Sequence, residues 1–432
     1  LGLDVYLNDK NTLSIFTSQN SFNGMPGGNI DIVYANDTTR NLMQDFGADM
    51  SNYSQQYNLD YKLDFDKEGH NIEFEADYNT FDADEDTFFD FTGTTPLADY
   101  EDFVATKRDR TTLNLDYVNP LSENEKLELG VQAILFNTDI GYSSTGQSFN
   151  ASGNLVPTPD TQFDYSRDIY SAYVTYGKNY EKWSYQAGLR AEQVHVAADT
   201  NAVRAFTNDY FELYPSAYVT FNPSEKNQYQ VSYSRRIDRP GVGQVNPIRE
   251  WSSPLITQFG NVDLRPQFTN SLETNYTRTL EKGSITAGVF YRIIEDEINQ
   301  AVFVDRFNLD RIVLTNDNFD STTAYGFELS GNYKPLDWWS INASFDLFNQ
   351  TQTGITESLD PAIENPTASD ITQTRIEVDN TVYNARVINN FTATKKLTLT
   401  AFAMFRGPNK GIQFENKSMF MTNIGARYSI FE

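Results

Sequence analysis

The sequence predicts an all-β protein, an antiparallel up-and-down β-barrel that spans a membrane. Three observations support this fold class. Apolar and polar residues alternate with a period of two in one segment after another. These segments are long enough to cross a bilayer at a tilt, and short connections alternate with long ones along the chain. No stretch with the period of a helix competes with them.

We expect residues 1–432 to form one transmembrane β-barrel domain with about seventeen strands. The candidate strands are residues 1–7, 12–19, 55–65, 71–81, 110–118, 126–137, 165–177, 182–197, 210–221, 227–236, 267–280, 284–297, 322–333, 338–350, 380–393, 397–406 and 418–430.

The connections between these strands alternate strictly in length. Tight turns rich in Gly, Pro, Asn and Asp join one set of strand ends. The long connections are about 20–54, 82–109, 138–164, 198–209, 237–266, 298–321, 351–379 and 407–417. This alternation is typical of a barrel with periplasmic turns on one rim and extracellular loops on the other, and a soluble sandwich has no reason to show it.

The alternation within strands also assigns the two faces of the barrel. The residues predicted to face lipid are Tyr185, Leu189, Ile341, Phe345, Leu399 and Ala401, and those predicted to face the lumen are Arg190, Glu192, Glu328, Asp346 and Arg427. Aromatic residues near the strand ends, such as Trp183, Phe221 and Trp338-Trp339, predict girdles at the lipid interfaces, although Tyr and Phe are also good strand formers.

Composition limits the class of protein further. The net charge is −26, cysteine is absent and the mean hydropathy is −0.53. A low mean hydropathy does not exclude a barrel, because only every second side chain meets lipid. With 59 acidic residues against 33 Lys and Arg, the chain is not expected to bind nucleic acid. The absence of cysteine suits an oxidising envelope compartment.

Two stretches carry a family likeness. The first contains Ser232-Tyr-Ser-Arg235-Arg-Ile-Asp-Arg239-Pro, Asn246-Pro, Gly260-Asn-Val-Asp-Leu264-Arg-Pro266 and Thr269-Asn-Ser-Leu-Glu273, and the second contains Ala324-Tyr-Gly326-Phe-Glu328-Leu. They resemble the barrel domain of TonB-dependent outer-membrane receptors, most closely the "outer membrane protein beta-barrel" family of Bacteroidota. The chain departs from that pattern at Val262, where Pro is usual, and at Gln267, where Glu is common.

This resemblance implies a bacterial outer-membrane location and energy-dependent uptake of a scarce nutrient, without enzymatic activity. It implies twenty-two strands and an N-terminal plug, so the plug and some terminal strands are expected outside residues 1–432. The implied partners are outer-membrane lipid, the TonB complex acting through the plug, and a surface lipoprotein or other envelope protein. The alternative is a non-transport barrel: a passive pore, an adhesin or a scaffold of a surface or secretion complex. A third hypothesis, an outer-membrane enzyme, would require His195 beside a serine and a carboxylate.

Candidate binding residues lie in and beside the connection from Ile237 to Pro266, which its prolines and arginines predict to be ordered and folded against the rim or into the mouth. They are Arg235, Arg236, Asp238, Arg239, Asn246, Trp251 and Asn261. The arginines could bind an anionic substrate, or they could pair with carboxylates and order the loop.

Alternate carboxylates in the predicted connection 82–109 form a candidate calcium site, the only metal or cofactor that the sequence suggests. They are Asp82, Asp84, Asp86 and Asp90. An EF-hand is excluded because the Gly at its sixth position and the Glu at its twelfth are absent. The alternative is a solvated acidic loop.

We also expect that the chain does not close as a barrel by itself. The predicted strand number is odd, and Leu1 begins in the middle of an alternating pattern. Residues 1–7 and 418–430 should therefore pair with segments outside this chain, because unpaired backbone groups in lipid cost several kcal/mol each.

Overall fold

The computed structural model describes residues 1–34, 37–93, 97–149 and 154–430, and only the backbone of 149 and 250–252. Its strands are β1 (Gly2–Asn8), β2 (Asn11–Gly24), β3 (Gly27–Ile32), β4 (Leu42–Asp64), β5 (Asn71–Gly93), β6 (Tyr100–Ser122), β7 (Glu125–Ser144), β8 (Gln147–Phe149), β9 (Leu155–Pro157), β10 (Thr161–Asn179), β11 (Trp183–Thr200), β12 (Val203–Ser224), β13 (Asn227–Asp238), β14 (Glu250–Ser253), β15 (Ile256–Gln258), β16 (Gln267–Leu280), β17 (Gly283–Val304), β18 (Ile312–Leu336), β19 (Trp339–Leu359), β20 (Ile371–Thr392), β21 (Leu397–Arg406), β22 (Asn409–Lys410), β23 (Glu415–Asn416) and β24 (Met419–Tyr428). Helix α1 spans Val242–Val245, and 3₁₀ turns span Thr38–Arg40 and Ala368–Asp370. No helix in the described ranges is long and apolar enough to span a membrane.

One sheet of 20 strands forms the barrel wall. Three of them, β3, β14 and β15, are short strands at the long-loop end. The other seventeen pair in chain order as an antiparallel meander, from the β1–β2 hairpin to β21–β24. The predicted all-β, up-and-down fold and the predicted number of wall strands are therefore confirmed.

The strands end where predicted at the short turns but continue much further at the other end. Strands β5 and β6 each have 23 residues. Because β5 ends at Gly93 and β6 begins at Tyr100, most of the predicted loop 82–109 is strand. A tilted strand needs only about 9–11 residues to cross a bilayer, so these hairpins project well beyond the lipid. The prediction failed there because the outer face of this extension carries exposed Asp82, Asp84 and Asp86 in place of the apolar residues that meet lipid.

The pairing register places the two predicted face sets on opposite sides of the sheet. Leu189 pairs with Val174 and Pro215, and the next residue, Arg190, pairs with Tyr173 and Tyr214. The same parity continues to Phe345 on β19 and Leu399 on β21. The face with Arg190 is the inner one, because residues 237–266 pack against it.

Aromatic rings cluster beside the short turns, as the girdle prediction requires. Trp183 stacks on Phe221 with their ring centroids 4.3 Å apart, and Tyr229 lies 4.8 Å from Tyr276 on the neighbouring strands. Phe221 and Tyr229 lie 6.4 Å apart, so the row of rings joins four successive strands, β11, β12, β13 and β16.

The sheet is open among the described residues. Strand β1 pairs with β2 and β24 with β21, and no described pairing joins β1 to β24. Leu3 and Ile424 on these edges are 63% and 87% exposed. The absence of direct closure agrees with the sequence prediction, and pairing of the two edges with other segments stays a prediction.

Candidate functional site in the mouth of the barrel

Residues 237–266, called the strap below, leave the wall at β13 and return to it at β16. The strap contains α1, β14 and β15 and folds inside the mouth at the long-loop end. The strap crosses itself at Gly260. A side chain would not fit there, because a Cβ at this residue would be 2.5 Å from the Asn246 amide nitrogen. The structure thus places the strap in the mouth, as the sequence predicts.

An apolar cluster fixes the strap to the inner wall. Val245, Ile248 and Leu264 are buried against inner-face residues of β7, β10 and β11, among them Phe163 and Val194, which are fully buried. Burying an aliphatic side chain of this size contributes roughly 1.5–3 kcal/mol. The strap is therefore a packed part of the vestibule wall.

A buried ion cluster fixes the strap to the connection between β17 and β18. Asp305 accepts hydrogen bonds from Arg311 Nε at 2.8 Å and from the Phe307 amide at 2.9 Å, and Arg249 of the strap lies 3.2 Å from the same carboxylate. Asp305 and Arg311 have side chains that are only 1% exposed. Burial raises the pKa of Asp305, but these donors outweigh it and hold the pKa below its usual range.

Backbone pairing extends this second anchor. Strand β15 pairs in parallel with residues 312–314 of β18, and the Ile312 amide donates to the Leu255 carbonyl at 2.9 Å. Further along, Asn318 accepts from the Arg265 amide at 2.8 Å and donates to the Arg265 carbonyl at 2.9 Å. The strap is held to β18 along much of its second half.

A third contact reaches the opposite part of the wall. Leu255 packs against a cluster of buried residues from β3, β4 and β5: Ile32, Leu42, Phe89 and Phe91. Nearby, exposed Arg40 pairs with Asp310 at 3.1 Å. With contacts to β10 and β11, to β18 and to β5, the strap crosses the mouth of the barrel.

The predicted arginines at the start of the strap lie beside carboxylates. Arg239 donates to Glu192 on β11 and, at 3.0 Å, to the Tyr210 hydroxyl. Glu192 also accepts from Arg190 Nε at 2.7 Å, so one nearly buried carboxylate holds two guanidiniums. Arg235 lies 3.3 Å from Glu212 and its guanidinium lies over the Phe268 ring.

The remaining predicted residues are spread along the strap and do not converge. Arg236 is exposed, and Asp238 accepts from Gln267 at 3.1 Å. Asn246 is buried and accepts from the Ile248 amide, and Asn261 donates to the Asn316 carbonyl at 3.1 Å. These contacts shape the strap. Trp251 lies on β14, and its side chain is outside the described part of the structure.

The carboxylates of the candidate calcium site lie on a strand and not in a loop. Asp82, Asp84, Asp86 and Asp90 occupy alternate positions of β5, all exposed on its outer face. Residues two apart on a strand are separated by about 6.6–6.8 Å, so the four carboxylates do not surround one ion. Asp60, Glu73 and Glu75, on the inner face, instead bring one carboxylate oxygen each within 4.8 Å of one another.

The two family-like motifs meet on the inner wall around Arg292. Its guanidinium lies 3.0 Å from Glu273 and 3.5 Å from Glu328, one glutamate from each motif. Gly326 leaves room for Phe348, whose Cβ would be 2.4 Å from a Cβ at this glycine. The motifs therefore stabilise the wall, a role that sequence reasoning did not assign to these residues. It also missed Asp305 and Arg311, whose burial has no local sequence signal.

The two histidines lie apart. His70 Nε2 is 3.0 Å from the Tyr117 hydroxyl near a short turn. His195 Nδ1 is 3.1 Å from Asp209 on the outer face, where both side chains are more than half exposed. The structure thus places His195 beside a carboxylate and away from the lumen.

Comparison with known proteins identifies the family. No protein of curated function matches the sequence. Residues 63–432 match the Outer membrane protein beta-barrel family. The chain belongs to this family. The chain is therefore located in the outer membrane. Its origin in Bacteroidota stays a prediction.

Solved structures share the fold of this outer-membrane barrel. It is 10% identical to the ferric-catecholate import receptor Fiu from E. coli K12, with a TM-score of 0.59 over 100% of this chain and 73% of Fiu. The siderophore receptor PiuA from Acinetobacter baumannii is 14% identical, with a TM-score of 0.57 and the same coverage. The hemophore receptor HasR from Serratia marcescens is 12% identical, with a TM-score of 0.54 over 98% of this chain and 72% of HasR.

Proposed function

We propose that this chain is the barrel of a TonB-dependent receptor, which imports a scarce nutrient across the outer membrane with energy from the inner membrane. The observation that carries the proposal is the strap, because it is packed into the mouth by apolar, ionic and backbone contacts. A barrel wall of this size encloses a lumen too wide for its own side chains to fill. A structured element across such a lumen fits a binding protein better than an open channel.

The inner wall below the strap also suits a receptor. It carries hydrogen-bonded polar networks, such as Arg190 with Gln132 at 2.6 Å and with Ser171 at 2.8 Å. Polar groups of this density need water or a polar occupant inside the barrel. The ferric-catecholate import receptor Fiu and the siderophore receptor PiuA share the fold and support this function by analogy.

Energy coupling requires parts that lie outside the described chain. In the proposed receptor the TonB complex pulls on a plug, and outer-membrane lipid surrounds the outer face. A surface lipoprotein is a further proposed partner at the exposed hairpins. A passive pore is disfavoured by the strap, because a solute that diffuses freely needs an unobstructed mouth.

Uptake in living cells tests the proposal. Cells that express the full-length gene should accumulate one member of a panel of labelled ferric chelates, haem and cobalamin, and a protonophore should abolish this accumulation. A deletion of the gene should abolish the same uptake. Uptake that is unchanged by the protonophore, or conductance of an open pore by the purified full-length protein in planar bilayers, would refute the receptor function.

A matched pair of variants separates the strap from general folding. In the full-length protein from which the proposed plug has been removed, replacement of residues 242–263 by a short Gly-Ser linker should raise bilayer conductance without loss of the folded barrel. The same replacement in the exposed hairpin segment 360–367 should leave conductance unchanged. Equal conductance of both variants would show that the strap does not obstruct the mouth.

A further inference from the structure

Three methionines lie together on the inner wall, at the long-loop end of the paired strands β21 and β24. Met404 of β21 is directly opposite Met421 of β24, and Met419 is two residues before Met421 on the same strand. Directly paired residues share a face of the sheet, and so do residues two apart on a strand. Leu399 of β21 is on the lipid face and five residues before Met404, so the three methionines face the lumen.

The other methionines of the chain are not grouped in this way. The chain has six methionines and no cysteine, so half of its sulfur atoms belong to this one cluster. Met25 lies between β2 and β3. Met43 and Met50 are seven residues apart on β4, which places them on opposite faces of the sheet.

Core packing does not explain the cluster. Methionine is among the residues that are most often buried. Met419 and Met421 are nevertheless 43% and 40% exposed. A further strand paired with the open edge of β24 would cover its backbone groups and leave its lumenal face open. The thioethers are therefore accessible to a solute in the mouth of the barrel.

The connection between β21 and β24 holds the strand ends that carry the methionines. It folds into the mouth, where Ile412 is buried against Phe319. The next residue, Gln413, donates to the Ile355 carbonyl at 3.0 Å. Ligand groups that are held before an ion arrives lose less freedom when they bind it.

The spacing of the three residues suits a single metal ion. Cβ atoms of directly paired residues are about 4.5–5.5 Å apart, residues two apart on a strand about 6.6–6.8 Å, and diagonal neighbours about 7–8 Å. In projection, the centre of this triangle is about 4 Å from each Cβ. Because methionine is unbranched and flexible, three sulfur atoms can converge on one ion above that centre.

The donors and their neighbours indicate which ion fits. Thioether sulfur is a soft, uncharged ligand that favours Cu(I) over hard cations such as Mg²⁺ and Ca²⁺. The neighbours on the same face are Arg386, Phe402, Arg406 and Asn423, which supply no carboxylate. Repulsion by a guanidinium grows with the charge of the ion, so the two arginines disfavour a divalent ion more than a monovalent one.

We propose that Met404, Met419 and Met421 form a binding site for Cu(I), with the three thioether sulfurs as ligands. Ag(I), which is also soft and monovalent, should bind at the same place. Binding replaces the ligands that the ion brings with it and changes no oxidation state. The site goes beyond the proposed uptake function and does not depend on it, because it requires only the wall and the connection that holds it.

Competition with the Cu(I) indicator bicinchoninate, under reducing conditions, tests the site in the purified full-length protein. The wild type should remove Cu(I) from the indicator, and the M404L/M419L/M421L variant should lose this ability. Leucine nearly conserves the volume of methionine, so the variant should fold and show the heat-dependent gel mobility of the wild type. An excess of Zn²⁺ should not displace Cu(I) from the wild type.

The matched control is M25L/M43L/M50L, which removes the same number of thioethers elsewhere and should bind Cu(I) as the wild type does. A thioether has no proton to release, so after correction for the indicator the affinity should be constant between about pH 5 and 8. Failure of the wild type to bind Cu(I), equal binding by the two triple variants, or displacement by Zn²⁺ overturns the inference. An affinity that falls as histidine becomes protonated overturns it as well.

A second measurement uses the unsubstituted protein and so does not depend on the folding of a variant. Ag(I) should protect Met404, Met419 and Met421 from oxidation by hydrogen peroxide, measured as methionine sulfoxide in peptides by mass spectrometry. Met25, which is 82% exposed, should oxidise at the same rate with and without Ag(I). Equal protection of Met25 and of the cluster would show that the cluster is not a specific site.

Discussion

Substitution of Asp305 by Asn should release one end of the strap. The change removes the Asp305 carboxylate from beside Arg311, whose side chain is 1% exposed. Removing one partner of a buried ion pair costs about 3–5 kcal/mol. The side-chain amide of D305N retains an oxygen that can accept from the Phe307 backbone N–H, so we expect a loss of about 3 kcal/mol in the local stability of the strap. This loss corresponds to roughly a 100-fold increase in local opening.

Hydrogen exchange of the full-length protein in detergent measures this opening. Peptides that cover residues 254–259 and 305–315 should exchange about 100-fold faster in D305N, while peptides of β10 and β11 stay protected. The control is D310N, because Asp310 and Arg40 are about half exposed and such pairs contribute about 0–1 kcal/mol. Exchange in D305N no faster than in D310N would refute the anchoring role of Asp305.

Acid should reproduce the effect of the substitution. The pKa of Asp305 is lower in the folded strap than in an unfolded chain, so the carboxylate stabilises the strap above its ordinary pKa of about 3.9. This contribution is lost as the pH falls through the lowered pKa. After correction for intrinsic exchange, the difference between wild type and D305N should therefore be constant at neutral pH and shrink only below about pH 4. A difference that disappears between pH 5 and 7 would implicate another group.

Three further substitutions test the packing and the register. Gly326→Ala should destabilise the folded barrel by about 1–3 kcal/mol in urea unfolding because of its collision with Phe348, whereas Gly425→Ala should be neutral because nothing lies within 4 Å of its Cβ. Phe163→Ala should lower the free energy of unfolding by about 3–5 kcal/mol, because the side chain is fully buried, and should raise hydrogen exchange in strap residues 242–248. Unchanged hydrogen exchange there would show that this cluster does not hold the strap. Leu189→Arg should destabilise the barrel by about 2–4 kcal/mol because it places a charge on the lipid face, whereas Gln186→Arg on the lumenal face should have little effect. Equal stability of the two variants would contradict the register.

The sequence was sufficient to predict the strands and turns of the part of the fold that lies in the membrane. There one face of each strand meets lipid, so Trp183 to Ala191 alternates visibly, and the turn after Phe65 is marked by its own residues. Above the membrane the outer face of β5 meets water and carries Asp82, Asp84 and Asp86 instead of apolar residues. The alternation is lost there, and the extensions of β5 and β6 were predicted as loop.

The candidate site was predictable only in part, for a related reason. The prolines and arginines of the strap indicated an ordered segment, because these residues restrict a loop locally. Whether a given arginine has a carboxylate beside it depends on strands that are distant in sequence. Arg239 finds Glu192 on β11, whereas Arg108 has no such neighbour, and no local pattern distinguishes the two.

The family-like motifs have a structural role in the wall. Glu273 and Glu328 both contact Arg292, so each motif glutamate is occupied in holding neighbouring strands together. A substitution at one of them would remove one of the two carboxylates that Arg292 contacts and weaken the link between neighbouring strands. Arg108, Arg110 and Arg167 lie outside the motifs and have no carboxylate to hold.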